Sequence, residues 1–591
     1  MADSNSRKKQ LLAALIFLIT LISGFFLAFI TNTGYGSIQI SRVGISEDSI
    51  NINGIIYRPL TATINDPRPA VVLAHGISGS QQIMNGIALE LARRGFVALA
   101  IDLKGHGNSG GSLSFSDPTL GTLSAVRYLE LQPFVNGLSV GLIGHSLGGV
   151  AVRATAFAHK NISAVVTLGS QSAWAGNESV YGIINTTFPR NFLFAVGRYD
   201  ELFGDLNELR IALMPVFGTE SPVIANSIIY GDFRFQNARK LVISDTIHLL
   251  EPADPFIVSE ILSWMDASLW GGRNAIIPYD NQIFLIRELS LLAVTISLLL
   301  LIVPLSNILY GSEALKNSQP SAFNPKKGFD GKLGILVSGL TYGGLSIILF
   351  IPMVIIGFVI NIPPLIFGAS TAWWLLAVGL TGLAMVKILN RLSLINAKID
   401  LKRFFSHLES EFMSRYTLLL VLGYFAILYL LILFLEILTA LDLHFIVPIF
   451  NDLFPPSRLI IFVLFIPFLL TYFVTEAILF LELSPDAEFG KEITGSYRGA
   501  IRLLAIRTAP IIAVLAFQYV PKFLFNVLPI SWGLSPLLFQ FFWVMLPLFA
   551  TTSLISWWGF RVTGRIGGGA LLNTLLLSWM LASQFPFGSF L

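Results

Sequence analysis

Long apolar runs are the feature of this chain that most limits how it can fold. Beyond about residue 283 the sequence carries eight of them, each about long enough to cross a bilayer as a helix, and another occupies 11–30. With 54% hydrophobic residues and a mean hydropathy of +0.72, the chain is too apolar for a soluble globular protein. We predict a cytoplasmic N-terminus at 1–10, an anchor at 11–30 and an all-α polytopic transmembrane domain of about eight helices at 281–591. The later runs lie near 284–305, 334–360, 365–386, 416–440, 458–481, 505–527, 536–559 and 568–588.

The distribution of basic residues predicts the orientation of these spans. Lys and Arg crowd every second connection, as in 387–415, whereas the connections around 361–364, 441–457 and 528–535 have almost none. This alternation satisfies the positive-inside rule if the N-terminus is cytoplasmic. The segment 31–280, which has the composition of a soluble domain, then lies outside the cytosol.

Strand-like and helix-like segments alternate through this extracytoplasmic segment. PAVVLAHG (69–76) and FVALAID (96–102) have the pattern of buried strands, and MNGIALELARRG (84–95) between them has that of an amphipathic helix ending at a glycine. Such alternation predicts a parallel sheet covered by helices on both faces.

The run GHSLGG, at 144–149, follows another apolar strand and precedes a helical pattern. Strand, tight turn and helix form the setting in which G-x-S-x-G lifts a serine hydroxyl above a sheet. Gly144 and Gly148 flank Ser146 at positions where larger residues would block such a turn. A glycine-rich turn with an incidental serine is the alternative, and the pentapeptide alone does not exclude it.

Taken together, these motifs resemble the α/β-hydrolase family over residues 45–270. The matching runs occur in the family's order at predicted strand ends, and they are LAHGISGS, DLKGHGNSGG, GHSLGG, GRYDE and DTIH. The resemblance implies a doubly wound, mostly parallel sheet that carries a Ser–acid–His triad.

A serine hydroxyl needs a base to take its proton and an acid to orient that base. In the family's chain order, Ser146 is followed by Asp200, at the end of LFAVGRYD, and then by His248. His248 follows the last predicted strand of the domain, which makes it the general base. The side chain of His145, adjacent to Ser146 in the chain, is expected to point elsewhere. Glu201 and Asp205 are the alternatives for the acid.

The resemblance further implies an oxyanion hole formed by the backbone N–H groups of Ile77 and Leu147. The long separation between acid and histidine implies an insertion at 201–237. That insertion and 171–190 supply candidate lid and acyl-pocket residues, namely Trp174, Phe188, Phe203 and Phe217. No cofactor and no metal is required, since the chain lacks cysteine and shows no cluster with metal-ligand spacing.

We expect a membrane-anchored serine hydrolase of the esterase or lipase type, acting on an acyl ester of a lipid or lipid-linked substrate outside the cytosol. Two alternatives remain: a transporter-like protein whose hydrolase-like domain binds a ligand, and a serine peptidase of the same fold. The expected partners are the bilayer and the acyl-ester substrate. The net charge of +3, without a basic tract, argues against nucleic acid.

Overall fold

A nine-stranded sheet forms the centre of the segment that precedes the apolar half. The computed structural model describes residues 4–47, 49–114, 116–170, 183–219, 224–272, 276–310, 331–391, 415–445, 447–451, 455–482, 498–531, 535–563 and 565–588. The strands are β1 (Ile38–Glu47), β2 (Ile50–Pro59), β3 (Arg68–Ala74), β4 (Val97–Ile101), β5 (Val135–His145), β6 (Ala164–Leu168), β7 (Phe192–Gly197), β8 (Ile229–Tyr230) and β9 (Arg239–Ser244). Their spatial order is β1-β2-β4-β3-β5-β6-β7-β9-β8. The six strands at the centre of the sheet run parallel, and they are, in spatial order, β4, β3, β5, β6, β7 and β9. At the two edges, β1, β2 and β8 pair antiparallel with their neighbours.

Helices cover both faces of this sheet. They are α2 (Asn85–Arg93), α3 (Thr122–Glu130), α4 (Leu147–Ala158), α5 (Leu206–Phe217) and α6 (Pro255–Trp270). Along β3 the side chains alternate: Val72 joins the core that contains α3 and α4, whereas Val71 and Leu73 join the core that contains α2 and α6. The predicted doubly wound, mostly parallel sheet is therefore confirmed. We call residues 38–270 the sheet domain.

The apolar half, with the first helix, forms a set of long helices that we call the helical domain. Its members are α1 (Ser4–Asn32), α7 (Phe284–Tyr310), α8 (Gly331–Ile360), α9 (Gly368–Arg391), α10 (Arg415–Thr439), α11 (Pro456–Ala477, continued as a π-helix over Ile478–Glu482), α12 (Arg498–Phe525), α13 (Ser535–Thr563) and α14 (Gly567–Gln584). Within the described residues, eight of these are long and apolar enough to cross a membrane. The ninth predicted span corresponds to α14, an 18-residue helix buried along nearly its whole length.

The sheet domain sits on one end of the helical domain. Near the start of α11, Arg458 Nη2 donates to the carbonyl of Gly105 (3.2 Å), and the segment after α14 pairs with the same loop through Phe587 N, which donates to Gly105 O (2.9 Å). At the end of α12, Lys522 Nζ donates to the carbonyl of Phe203 (2.8 Å). These contacts place the ends of several candidate spans directly against loops of the sheet domain.

Buried acids of the helical domain pair with arginines, as at two glutamates. Glu436, near the end of α10, pairs with Arg42 of β1 and thereby links the two domains. Glu476 pairs with Arg507 inside the helical domain. Because a buried carboxylate without a partner is strongly unfavourable, both pairs have a structural explanation.

Candidate active site

Ser146 occupies a strained turn between β5 and α4. Its φ of 52° and ψ of −117° lie in a region that residues with a Cβ rarely adopt. The turn requires its glycines, since a Cβ on Gly144 would overlap the carbonyl of Gly148, and one on Gly148 would overlap the carbonyl of Ala74. The glycines of GHSLGG therefore allow β5, α4 and β3 to approach closely enough to expose the serine above the sheet.

Asp200 and His248 are brought together from the ends of neighbouring strands. Asp200 follows β7, and His248 begins a 3₁₀-helix (His248–Ala253) after β9. The two side chains are buried, and His248 Nδ1 lies 2.8 Å from Asp200 Oδ2. Burial opposes a charge on His248, but the Asp200 and Glu201 carboxylates outweigh it and raise the pKa of the imidazole. This arrangement can hold an imidazole with its second nitrogen free to act as a base.

Ser146 and His248 line one cavity of about 80 Å³. No hydrogen bond joins Ser146 Oγ to His248 among the described residues. Such a contact is often long in an unliganded site and tightens when substrate binds.

Both domains line the cavity. The sheet domain contributes polar and apolar side chains, and the helical domain and its connections contribute mostly apolar ones, namely Phe367, Leu537, Gln540, Phe541, Val544, Gln584 and Phe585. None of the described lining residues is an Asp, Glu, Lys or Arg. Of the predicted acyl-pocket residues, Phe188, Phe203 and Phe217 do not line this cavity, and Phe203 and Phe217 are buried in the core of the sheet domain. Trp174 lies outside the described residues.

The two predicted oxyanion-hole residues flank the serine. Leu147 is the first residue of α4, so its N–H lies at the positive end of a helix. Ile77 follows β3 and lines the same cavity as Ser146. A Cβ on Gly76 would lie 3.1 Å from the Cβ of Ser146, so the loop that carries Ile77 lies against the turn at Ser146.

His145 has a role that the sequence analysis missed. Its side chain was expected to point away from the site, yet it lines the cavity and its ring centroid lies 4.6 Å from that of His248. His145 Nε2 lies 3.0 Å from the carbonyl oxygen of His248 and so fixes the backbone of that residue. Burial and the neighbouring His248 lower the pKa of His145 well below its usual value, so this ring is neutral.

Two further carboxylates surround the Asp200–His248 pair. Glu201 Oε2 accepts a hydrogen bond from the backbone N–H of His248 (3.2 Å). Glu251 Oε1 accepts from Gly197 N (2.6 Å), and its Oε2 lies 3.8 Å from His248 Nδ1. Burial and the adjacent Asp200 charge raise the pKa of Glu251 well above its usual value. Glu251 therefore keeps a proton at a pH at which exposed glutamates have lost theirs.

His145, His248 and Glu251 also bring three potential metal ligands within 4.8 Å of one another. The set fits a metal poorly, because His248 Nδ1 already faces Asp200 and His145 Nε2 already faces a carbonyl oxygen. The same atoms serve better as a hydrogen-bonded network around one imidazole.

Known proteins are similar to the sheet domain in sequence. The model of a family described as "Serine aminopeptidase, S33" matches residues 65–190, which include Ser146. The uncharacterized protein PA2218 of Pseudomonas aeruginosa is 36% identical over 108 residues, covering 17% of this chain and 29% of that protein. The uncharacterized protein YcjY of Escherichia coli K12 is 28% identical over 151 residues, which cover 24% of this chain and 49% of that protein. The chain spans about half the length, or less, of the curated relatives it matches.

Solved structures with a similar fold include two esterases. An esterase of Pyrobaculum calidifontis aligns with a TM-score of 0.31 at 15% identity, covering 46% of this chain and all of that chain. The Pyrococcus furiosus esterase Pf2001 aligns with a TM-score of 0.30 at 18% identity, and the alignment covers 40% of this chain and 96% of that chain.

Proposed function

We propose that the sheet domain, an α/β-hydrolase domain joined to helices long and apolar enough to span a membrane, is a serine hydrolase that cleaves an acyl ester of a lipid. The observation that carries this proposal is the cavity at Ser146. It joins the Ser146 and His248 side chains on one wall to Leu537, Phe541 and Val544 of a candidate span on the other. An acyl chain that enters from the bilayer would meet an apolar surface up to the reacting serine.

In the proposed reaction, Ser146 Oγ attacks the ester carbonyl carbon while His248 Nε2 takes the hydroxyl proton. Asp200 holds His248 in the required tautomer and stabilises the imidazolium. The N–H groups of Ile77 and Leu147 stabilise the oxyanion. The alcohol then leaves with the proton from His248, and a water molecule attacks the acyl-Ser146 ester by the same route and releases the fatty acid. Neither a metal nor a cofactor enters these steps.

The uncharged lining of the cavity supports an ester of a neutral acyl group. An aminopeptidase must hold the positively charged amino group of its substrate, and an acidic side chain facing the cavity is the expected means. Among the described lining residues no carboxylate faces the cavity. The description of the matched family nevertheless keeps a peptidase as the second candidate.

We also propose that the sheet domain lies on the non-cytosolic side. The connections poor in Lys and Arg join the ends of the helical domain that contact the sheet domain, as at Asn451, which binds Gln82. The basic connections join the opposite ends, after Tyr310, Arg391 and Glu482. Under the positive-inside rule the two sets then face opposite compartments.

A fluorophosphonate probe tests the enzymatic proposal, because it reacts with an activated serine. We expect labelling of the full-length protein in membranes and none in Ser146→Ala, because that variant lacks the oxygen with which the probe reacts. Absence of labelling in folded wild-type protein would refute a serine hydrolase and favour a ligand-binding domain.

Substrate class needs a second measurement. Native membranes are incubated with wild-type protein and with Ser146→Ala, and lipids are compared by mass spectrometry. A lipid that is lost with release of its fatty acid only in the wild-type sample supports the lipid ester. Faster turnover of a dipeptide or an aminoacyl amide than of a matched acyl ester would favour the peptidase.

A further inference from the structure

The loop that carries Asp200 is docked onto α12 of the helical domain. Lys522 Nζ donates to the carbonyl of Phe203 (2.8 Å), and Asn526 Nδ2 donates to that of Gly204 (3.3 Å). The ring of Tyr199, the residue before Asp200, packs edge-to-face on Phe523 of the same helix, with ring centroids 5.0 Å apart. A candidate span therefore holds the loop immediately after β7 at several points.

Glu201 joins this docked loop to His248. It is 3% exposed, and its two oxygens accept hydrogen bonds from three donors in different parts of the chain. Tyr519 of α12 binds Oε1, and Gln540 Nε2 of α13 binds Oε2 at 3.1 Å. The third donor is the backbone N–H of His248, which reaches Oε2 at 3.2 Å. A single buried carboxylate thus connects two candidate spans to the backbone of the histidine.

We propose that Tyr519 and Gln540, two residues of the helical domain, are positioning residues that orient His248 through Glu201. This inference rests on the proposed function and deepens it, since it makes the helical domain part of the catalytic apparatus as well as the anchor. A hydrogen bond to a buried carboxylate is strong and directional, so loss of either donor leaves Glu201 free to shift, and the His248 backbone shifts with it. A small misplacement of a general base is enough to slow the reaction severely.

The alternative is that these contacts merely attach one domain to the other. A purely structural contact would change folding stability and leave the ionisation of His248 unchanged. The pH dependence of the reaction separates the two, because the Glu201 charge contributes to the raised pKa of His248. Among the described residues, the ionisable groups that interact with this imidazole or its carboxylates are Asp200, Glu201, Glu251, His145, Tyr519 and Lys522.

The test measures the second-order rate of fluorophosphonate labelling of full-length protein between pH 5 and 9. We expect Tyr519→Phe to lower the plateau rate about tenfold, because a hydrogen bond to a charged group is lost. Glu201→Gln removes the charge itself, so the half-maximal point of the acid limb moves to lower pH. Tyr519→Phe and Gln540→Met each remove one hydrogen-bond donor from Glu201, so that its carboxylate binds a proton more readily and its charge supports the His248 imidazolium less. We therefore expect the half-maximal point to move to lower pH in these variants too, by less than in Glu201→Gln.

Tyr424→Phe is the matched control, because Tyr424 is a tyrosine of another candidate span whose hydroxyl donates to the carbonyl of Leu298. It loses a hydrogen bond within the helical domain without touching Glu201. We expect its labelling rate to stay within twofold of wild type and its acid limb to stay in place. Size-exclusion profiles and thermal transitions identify variants that fail to fold. If Tyr519→Phe fails to fold, Gln540→Met, on a different helix, takes its place in the test.

A double variant decides whether Tyr519 acts through Glu201. If it does, adding Tyr519→Phe to Glu201→Gln changes the rate by less than twofold; multiplication of the two single effects would overturn the proposal. Wild-type rates and an unmoved acid limb in the folded single variants would also overturn it, while leaving the serine hydrolase intact. Failure of the proposed function itself has a different signature, namely no Ser146-dependent labelling in wild type.

Discussion

Replacement of the acid, Asp200→Asn, tests the unusual presence of a second carboxylate beside His248. In an ordinary triad the loss of the acid lowers the rate by about 10⁴-fold, because the histidine takes the wrong tautomer and its cation is no longer stabilised. Here Glu251 Oε2 lies 3.8 Å from His248 Nδ1, compared with 2.8 Å for Asp200 Oδ2. Without the Asp200 charge, the pKa of Glu251 falls and its carboxylate becomes available to the imidazolium.

The distances give the size of this partial rescue. At an effective dielectric constant of about 20, a carboxylate at 2.8 Å attracts the imidazolium by about 6 kcal/mol, and one at 3.8 Å by about 4.4 kcal/mol. The difference is roughly tenfold in rate, and the lost charged hydrogen bond adds roughly 10- to 100-fold. We therefore expect Asp200→Asn to lose about 10²- to 10³-fold, and Asp200→Asn with Glu251→Gln to lose about 10⁴-fold.

The assay is the pH profile of fluorophosphonate labelling, with Glu251→Gln alone as the control. The residual rate of Asp200→Asn rises with pH as Glu251 ionises, and this rise disappears in the double variant. Glu251→Gln alone keeps the Asp200–His248 contact and stays within a few-fold of wild type. A loss of about 10⁴-fold in Asp200→Asn, with no further loss in the double variant, would refute the reasoning.

Three further predictions follow from the site. In wild type the labelling rate falls as pH drops through the pKa of His248, which the neighbouring carboxylates raise above that of an exposed histidine; a half-maximal point below that of an exposed histidine would contradict the geometry of the acids. Gly148→Ala forces a Cβ onto backbone, so we expect about 3 kcal/mol of lost stability in thermal unfolding together with lost labelling, while Gly137→Ala, whose Cβ meets its nearest atom at 3.8 Å, is tolerated. Phe541→Ala removes a ring from the cavity lining and so enlarges the cavity; we expect the ratio of long-chain to short-chain ester turnover to rise about tenfold. Phe525→Ala, at a residue that is 73% exposed, should leave this ratio unchanged.

Local patterns were enough to predict the sheet and the nucleophile turn. The apolar runs of β3 and β5, separated by helical periodicity, require a buried parallel sheet because each strand is apolar on both faces. The glycines around Ser146 could be read from the sequence because their role is steric and lies within a few residues. The pairing of Asp200 with His248 was predictable only through a resemblance, since it depends on which strand ends are neighbours.

His145 shows where sequence reasoning stopped. Its place beside Ser146 in the chain suggests a side chain that points away from the site, but in the structure its ring lies against that of His248, with centroids 4.6 Å apart. Glu201 was considered only as an alternative acid for the triad. Its contact with the backbone of His248, and not with the ring, depends on the path of the loop after β9.

The sequence alone determined which half is apolar enough to span a membrane, the class of fold and the tight turn at Ser146, because hydropathy, periodicity and turn sterics act over short stretches of chain. The tertiary structure decided what faces that serine. Part of the cavity lining comes from α13, and Glu201, which binds the backbone N–H of His248, is held by α12 and α13, with Tyr519 separated from Glu201 by 318 residues. Contacts at such a separation leave no periodic or compositional trace, since they are fixed by how the sheet domain docks on the helices and not by the residues on either side of them.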